Sequence, residues 1–124
     1  MQKQRPKHLD LTQITLPVPG IVSILHRISG VLLFLSLPCW LYVFHQSVSS
    51  EASFEGYHGV VTHPWAKLAL LGLLWAYLHH FCAGIRFLML DMHKGTALPT
   101  ARMTAKAVLV VSIVLTVILG GVLW

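Results

Sequence analysis

Ala76-Tyr77-Leu78-His79-His80-Phe81-Cys82-Ala83-Gly84-Ile85-Arg86-Phe87-Leu88-Met89-Leu90-Asp91 sets two histidines and an arginine inside a segment apolar enough to lie in lipid. Polar side chains at that depth are costly and usually functional. At helical spacing, Gly72, Ala76, His80 and Gly84 form an i, i+4 row that puts one imidazole on a stripe of very small residues. Two readings fit this stripe. Either something flat lies against it, or another helix packs closely there and His80 hydrogen-bonds to it.

The rest of the chain has the same solvent preference. Of 124 residues, 56% are hydrophobic and 10% charged, against about a quarter charged in an ordinary soluble domain. With a mean hydropathy of +0.72, this is a membrane protein. An all-α fold with three transmembrane helices follows, expected over about 21–45, 65–91 and 104–124 of a single membrane domain, 1–124. Each stretch reaches the roughly 20 residues that a crossing needs. Pro17, Pro19 and Gly20 are expected to hold the first helix back to about Ile21, leaving 1–20 as an arm. In the loop 46–64, Ser50 followed by Glu51 and Glu55 predicts a capped, short interfacial helix. No globular catalytic domain fits in the remainder, so a role in catalysis requires active-site residues from partners.

The net charge of +5 is read through topology. Lys3, Arg5 and Lys7 share a side with Lys94, Arg102 and Lys106 after two crossings, whereas the first loop carries Glu51 and Glu55 and no basic residue before Lys67. The positive-inside rule puts the amino terminus in the cytoplasm and the carboxyl terminus outside, in the periplasm of a bacterial inner membrane. The first apolar run is too long for a signal peptide's core, and nothing resembles a cleavable presequence. Nucleic acid is not needed to explain the basic balance. Cys39 and Cys82 are expected as small buried hydrophobes at different depths, without a disulfide. His58 and His63, five apart with no further ligands, are a weak metal signal.

A second polar cluster, Ser23-Ile24-Leu25-His26-Arg27-Ile28-Ser29-Gly30, lies in the opening turns of the first span. Ser23 and Arg27 share a face, with His26 beside them. Arg27 either snorkels to lipid phosphate or helps form a polar pocket for a ligand with carbonyl or carboxylate oxygens. For the small-residue stripe the flat ligand would be a porphyrin, because a neutral imidazole is a common axial ligand of haem iron. Counting about 1.5 Å per residue, His80 lies roughly 16 Å from the Asp91 end, whereas His26 would lie only about 5 Å in and His45 more than about 30 Å. His79 points about 100° away from His80, and the third helix has no histidine. A second histidine ligand would therefore come from another chain. Three helices also enclose a porphyrin poorly, so the chain reads as half of a two-subunit haem-binding bundle.

Arg5-Pro6 with Leu9-Asp10-Leu11, the Ser23 to Gly30 stretch, and His80 followed by Gly84-Ile85-Arg86 and Asp91 together resemble the cytochrome b membrane-anchor subunit of bacterial succinate dehydrogenase. The resemblance covers essentially the whole chain, including the final Trp124. It implies one haem b shared with a second small anchor subunit, one histidine from each chain. It also implies docking of an iron-sulfur subunit and a flavoprotein subunit on the cytoplasmic face. By the same resemblance His80 is the axial haem ligand, Ser23 and Arg27 belong to the ubiquinone site, and His26 with Arg27 lies beside the haem propionates. The family has a histidine directly after Gly-Ile-Arg where this chain has Phe87, so any contact made by that histidine does not carry over.

The function expected is that of a subunit of succinate:quinone oxidoreductase, respiratory complex II, with no complete active site of its own. Ubiquinone is the substrate on this side of the complex, Arg27 and Ser23 face its oxygens, and Asp91 or bound water brings protons. The alternatives are an anchor of a fumarate reductase or another quinone-linked dehydrogenase, or a non-redox membrane scaffold whose histidines and arginine only join helices. A transporter lacks support, since three helices without an internal repeat offer no alternating-access path.

Overall fold

The computed structural model describes residues 14–124. Four helices follow in order: α1 Val18–Ser47, α2 Glu51–Thr62, α3 Pro64–Asp91 and α4 Leu98–Leu123. No strand occurs among the described residues. α1, α3 and α4 contain 30, 28 and 26 residues and are long and apolar enough to cross a membrane. Each is about 40 Å long, more than the hydrocarbon thickness of about 30 Å. The chain is an all-helical integral membrane protein. Residues 1–13 of the expected arm, with Lys3, Arg5 and Lys7, lie outside the described residues.

Proline begins all three long helices. α1 starts at Val18 rather than Ile21, with Pro17 extended at the N-cap and Pro19 in the first turn. α4 starts at Leu98 rather than 104, with Pro99 in its first turn, and α3 opens on Pro64 itself. The first-turn N–H groups of a helix have no acceptor inside it, so proline's missing donor costs nothing there and its fixed φ favours helix entry. The prolines read from sequence as barriers are entry residues. α1 also continues through Pro38.

The connections are tight. Ser50 caps α2, its hydroxyl accepting from the Ser53 N–H at 3.2 Å, with Glu51 in the first turn as expected. At the end of α3 the Lys94 N–H reaches the Met89 carbonyl at 3.0 Å and the His93 N–H reaches that of Leu90 at 2.9 Å. That pair of bonds is a Schellman termination, which needs a left-handed residue at its hinge. His93 takes that role at φ 59, and Gly95 is left-handed again at φ 75.

α3 is the central element and touches α1, α2 and α4. Its buried contact layer is made of Val22, Ala83, Ala105 and Val108, with Val18, Cys82, Phe87 and Leu109 packed around it. Ala83 and Ala105 have no exposed surface, so small side chains let the backbones approach, as in other membrane bundles. Gly120 does the same at the far end, where a Cβ would stand 2.5 Å from Leu71 Cδ2, while Gly121 faces open space. Cys39 and Cys82 are both free; Cys39 is exposed, contrary to the expected burial, and Cys82 is half-buried. Large apolar side chains such as Ile28, Phe34, Leu35 and Val117 point outward, as lipid or another membrane helix requires.

The left-handed histidine at the α3 terminus gives a direct test. His93→Val places a β-branched residue at positive φ and is expected to lower stability by about 1–2 kcal/mol, whereas His93→Gly is expected to hold or raise it. Thermal unfolding of the purified protein in detergent measures both.

Candidate functional site

α1 and α3 meet through two imidazoles. The rings of His26 and His80 stack with centroids 4.1 Å apart and planes within 7°. The expected difference in depth between them is therefore overturned. Because α1 begins at Val18, His26 lies about 12 Å along its helix, against about 16 Å for His80 measured from Asp91. The earlier helix start accounts for part of the discrepancy.

Each ring lies over a glycine of the opposite helix. A Cβ on Gly30 would stand 2.9 Å from His80 Cε1, and one on Gly84 would stand 3.7 Å from His26 Nε2. Gly84 thus faces α1, Ala76 is buried, and Gly72 has no neighbour within 4 Å. Along this edge the small-residue stripe serves close helix packing, the second of its two readings. The hydrogen bond predicted by that reading is present as well. His80 Nδ1 lies 3.0 Å from the His26 carbonyl oxygen and 3.2 Å from Ser29 Oγ. The Ser29 hydroxyl donates to the same carbonyl at 3.0 Å.

This geometry assigns the His80 tautomer. The carbonyl can only accept, and the Ser29 hydrogen is already committed to it, so the shared proton sits on Nδ1. Nε2 then carries a lone pair, and it has no hydrogen-bond partner among the described residues. The lone pair lies in the ring plane, so the His26 stack covers a face of the imidazole and leaves this edge open. An imidazole held by Nδ1–H to a backbone carbonyl, with Nε2 free, is the usual preparation of a metal-ligating histidine. His26 itself does not serve as an opposite ligand, because face-to-face rings cannot both aim in-plane lone pairs at one ion.

The neighbouring residues divide clearly. His79 is 1% exposed, and neither ring nitrogen has a hydrogen-bond partner among the described residues. It packs against Trp75, whose indole nitrogen is also unpaired, with centroids 5.4 Å apart. Ser23 is half-buried and Arg27 is exposed, one turn apart on α1. Phe87, in place of the family histidine, packs its ring 5.1 Å from that of His26 at 60°. No group of three potential metal-ligating side chains occurs among the described residues, so His58 and His63 form no closed metal site.

Arg86, the arginine of the opening stretch, has partners that the sequence did not predict. It is 6% exposed, with Nε–H donating to Thr104 Oγ1 and Nη2 to the Ala101 carbonyl, both at 3.1 Å. Its guanidinium also lies 5.6 Å from the Phe87 ring centre. One partner is a backbone carbonyl of the next helix, which leaves no mark in residue spacing.

A helical membrane subunit presenting one oriented imidazole edge within the bundle is the class that fold and site define. A family model described as succinate dehydrogenase/fumarate reductase transmembrane subunit matches residues 1–119. Among curated relatives, the succinate dehydrogenase cytochrome b556 subunit of Coxiella burnetii is 41% identical, with all of both chains covered. The subunits of the same name from Rickettsia felis and Paracoccus denitrificans are each 30% identical, covering 94% and 92% of this chain and 90% and 88% of their own. The chain belongs to the succinate dehydrogenase/fumarate reductase transmembrane subunit family.

The two glycines should respond differently to the same substitution. Gly30→Ala must displace the His80 ring and is expected to lose about 1–3 kcal/mol of stability. Gly84→Ala meets His26 at ordinary van der Waals distance and is expected to stay within about 0.5 kcal/mol. Parallel thermal unfolding curves distinguish them.

Proposed function

We propose that this chain is the cytochrome b membrane-anchor subunit of a succinate:quinone oxidoreductase, holding haem b through His80 Nε2 and contributing Ser23 and Arg27 to the ubiquinone site. The observation that carries the reading is the Nδ1–H bond from His80 to the His26 carbonyl, which leaves Nε2 as a free in-plane donor beside Gly30. The names of the relatives favour succinate dehydrogenase and a haem-bearing subunit. Haem supplies one-electron redox chemistry when bound. His80 Nε2 would hold it, and a further ligand would come from a second anchor subunit, as the family resemblance implies; His26 is stacked and His79 is enclosed.

Arg27 and His26 are adjacent on α1, so one exposed cation and one imidazole stand on the same stretch of helix as the haem pocket. Both suit the carboxylates of a porphyrin edge. Arg27 also offers fixed positive charge where quinone oxygens gain electron density, and the Ser23 hydroxyl donates to one carbonyl. Asp91 is exposed at the end of α3 and can pass protons inward from that surface. Iron-sulfur and flavoprotein subunits dock on the same face and deliver electrons from succinate. That face is cytoplasmic, in a bacterial inner membrane, with the carboxyl terminus in the periplasm.

Two measurements on the purified complex test this reading. In reduced-minus-oxidised optical spectra, His80→Ala should abolish or shift the b-type band while His79→Ala retains it; a wild-type complex with no such band, given adequate haem supply, would support a scaffold. Arg27→Ala should slow quinone reduction about tenfold or more while sparing succinate oxidation by an artificial acceptor. Equal loss of both activities would assign Arg27 to assembly.

A further inference from the structure

A groove of about 450 Å³ runs between α3 and α4 on the side away from the stacked histidines. Its walls are apolar, with Ile85, Met89 and Val111 among them, all exposed. Its polar lining is Arg86, Lys94, Thr100 and Thr104. Two of those side chains are cationic, and none of the lining residues is acidic.

The two cations are arranged for an anion. Arg86 is buried in a membrane-spanning helix, where an uncompensated charge is expensive. Its hydrogen bonds to Thr104 and the Ala101 carbonyl orient the guanidinium, yet both partners are neutral. A guanidinium has five N–H donors, so most remain for another acceptor. Lys94 stands just beyond the helix end, in the turn closed by its own N–H to Met89. The start of α4 adds to the field, because its N-cap, Ala97, supplies no side-chain acceptor and the first-turn amides carry partial positive charge. Thr100 lies in that first turn.

We propose that this groove binds one anionic phospholipid, with its phosphate held by Lys94, Thr100 and the Arg86 guanidinium and one acyl chain lying along Ile85, Met89 and Val111. The charge selects an anion, and the apolar walls select one that carries a chain. From its end at Asp91 back to Ile85 the helix spans about 9 Å, enough for the upper part of an acyl tail. A neutral partner helix would leave Arg86 uncompensated. The inference does not depend on haem or quinone binding.

The test uses the purified complex in nanodiscs with phosphatidylglycerol bearing a photoactivatable group on one acyl chain. Labelling is expected on peptides containing Ile85, Met89 and Val111, displaced by unlabelled phosphatidylglycerol and unaffected by phosphatidylcholine or inorganic phosphate. Lys94→Ala should reduce it about fivefold, Ala107→Trp should block it by filling the groove wall, and Lys106→Ala, outside the lining, should leave it unchanged. Equal displacement by phosphatidylcholine overturns the proposal, as does displacement by inorganic phosphate, which would reveal a simple anion site. So does indifference to Lys94→Ala, or absence of label because another subunit covers the groove.

Discussion

The contact between His80 Nδ1 and the His26 carbonyl is the constraint on which the rest of the site depends. It fixes the tautomer of one imidazole, joins α1 to α3 within the apolar bundle, and orients the free nitrogen of His80. The alternative, an unpaired ring nitrogen in a poorly solvated interior, is expensive. His79 shows the contrast. It lies one residue away on the same helix, is more deeply buried, and has no partner at either nitrogen among the described residues. Adjacent histidines thus have opposite environments because α3 turns them about 100° apart. One meets a backbone acceptor and Gly30, and the other meets Trp75.

Much of this was legible from sequence. Three apolar runs on a weakly charged chain gave the membrane class, and the spacing of Gly72, Ala76, His80 and Gly84 drew attention to the ring that joins α3 to α1. The short α2 followed from Ser50 and Glu51. The helix starts were not recovered, because Pro17, Pro19 and Pro99 look the same in sequence whether they block a helix or begin one. Only the surrounding backbone decides between those roles. That one ambiguity propagated into the depth of His26 and hid its stack with His80. The role of Arg86 was hidden for a different reason: its partners belong to the following helix, and one is a carbonyl that every residue possesses.

Packing within the chain is economical and incomplete. The contact layer is built on alanine, valine and glycine, which brings helices together without enclosing much volume. Dispersion and interhelical hydrogen bonds must then do most of the holding, since lipid offers no hydrophobic drive for helix association. The wide outward display of isoleucine, leucine and phenylalanine suits a subunit surrounded by lipid and by other membrane chains. A cofactor site bounded on one side by α1 and α3 and completed by another subunit follows naturally from the proposed function.

The reciprocal placement of His26 over Gly84 and His80 over Gly30 has a mechanical meaning. One turn away on the same face, both helices carry side chains: His26 and Phe34 lie above and below Gly30, His80 and Leu88 above and below Gly84. Axial sliding of α1 against α3 would carry each ring off its glycine and toward bulkier surface, in either direction. The two helices therefore form a keyed joint with a single setting.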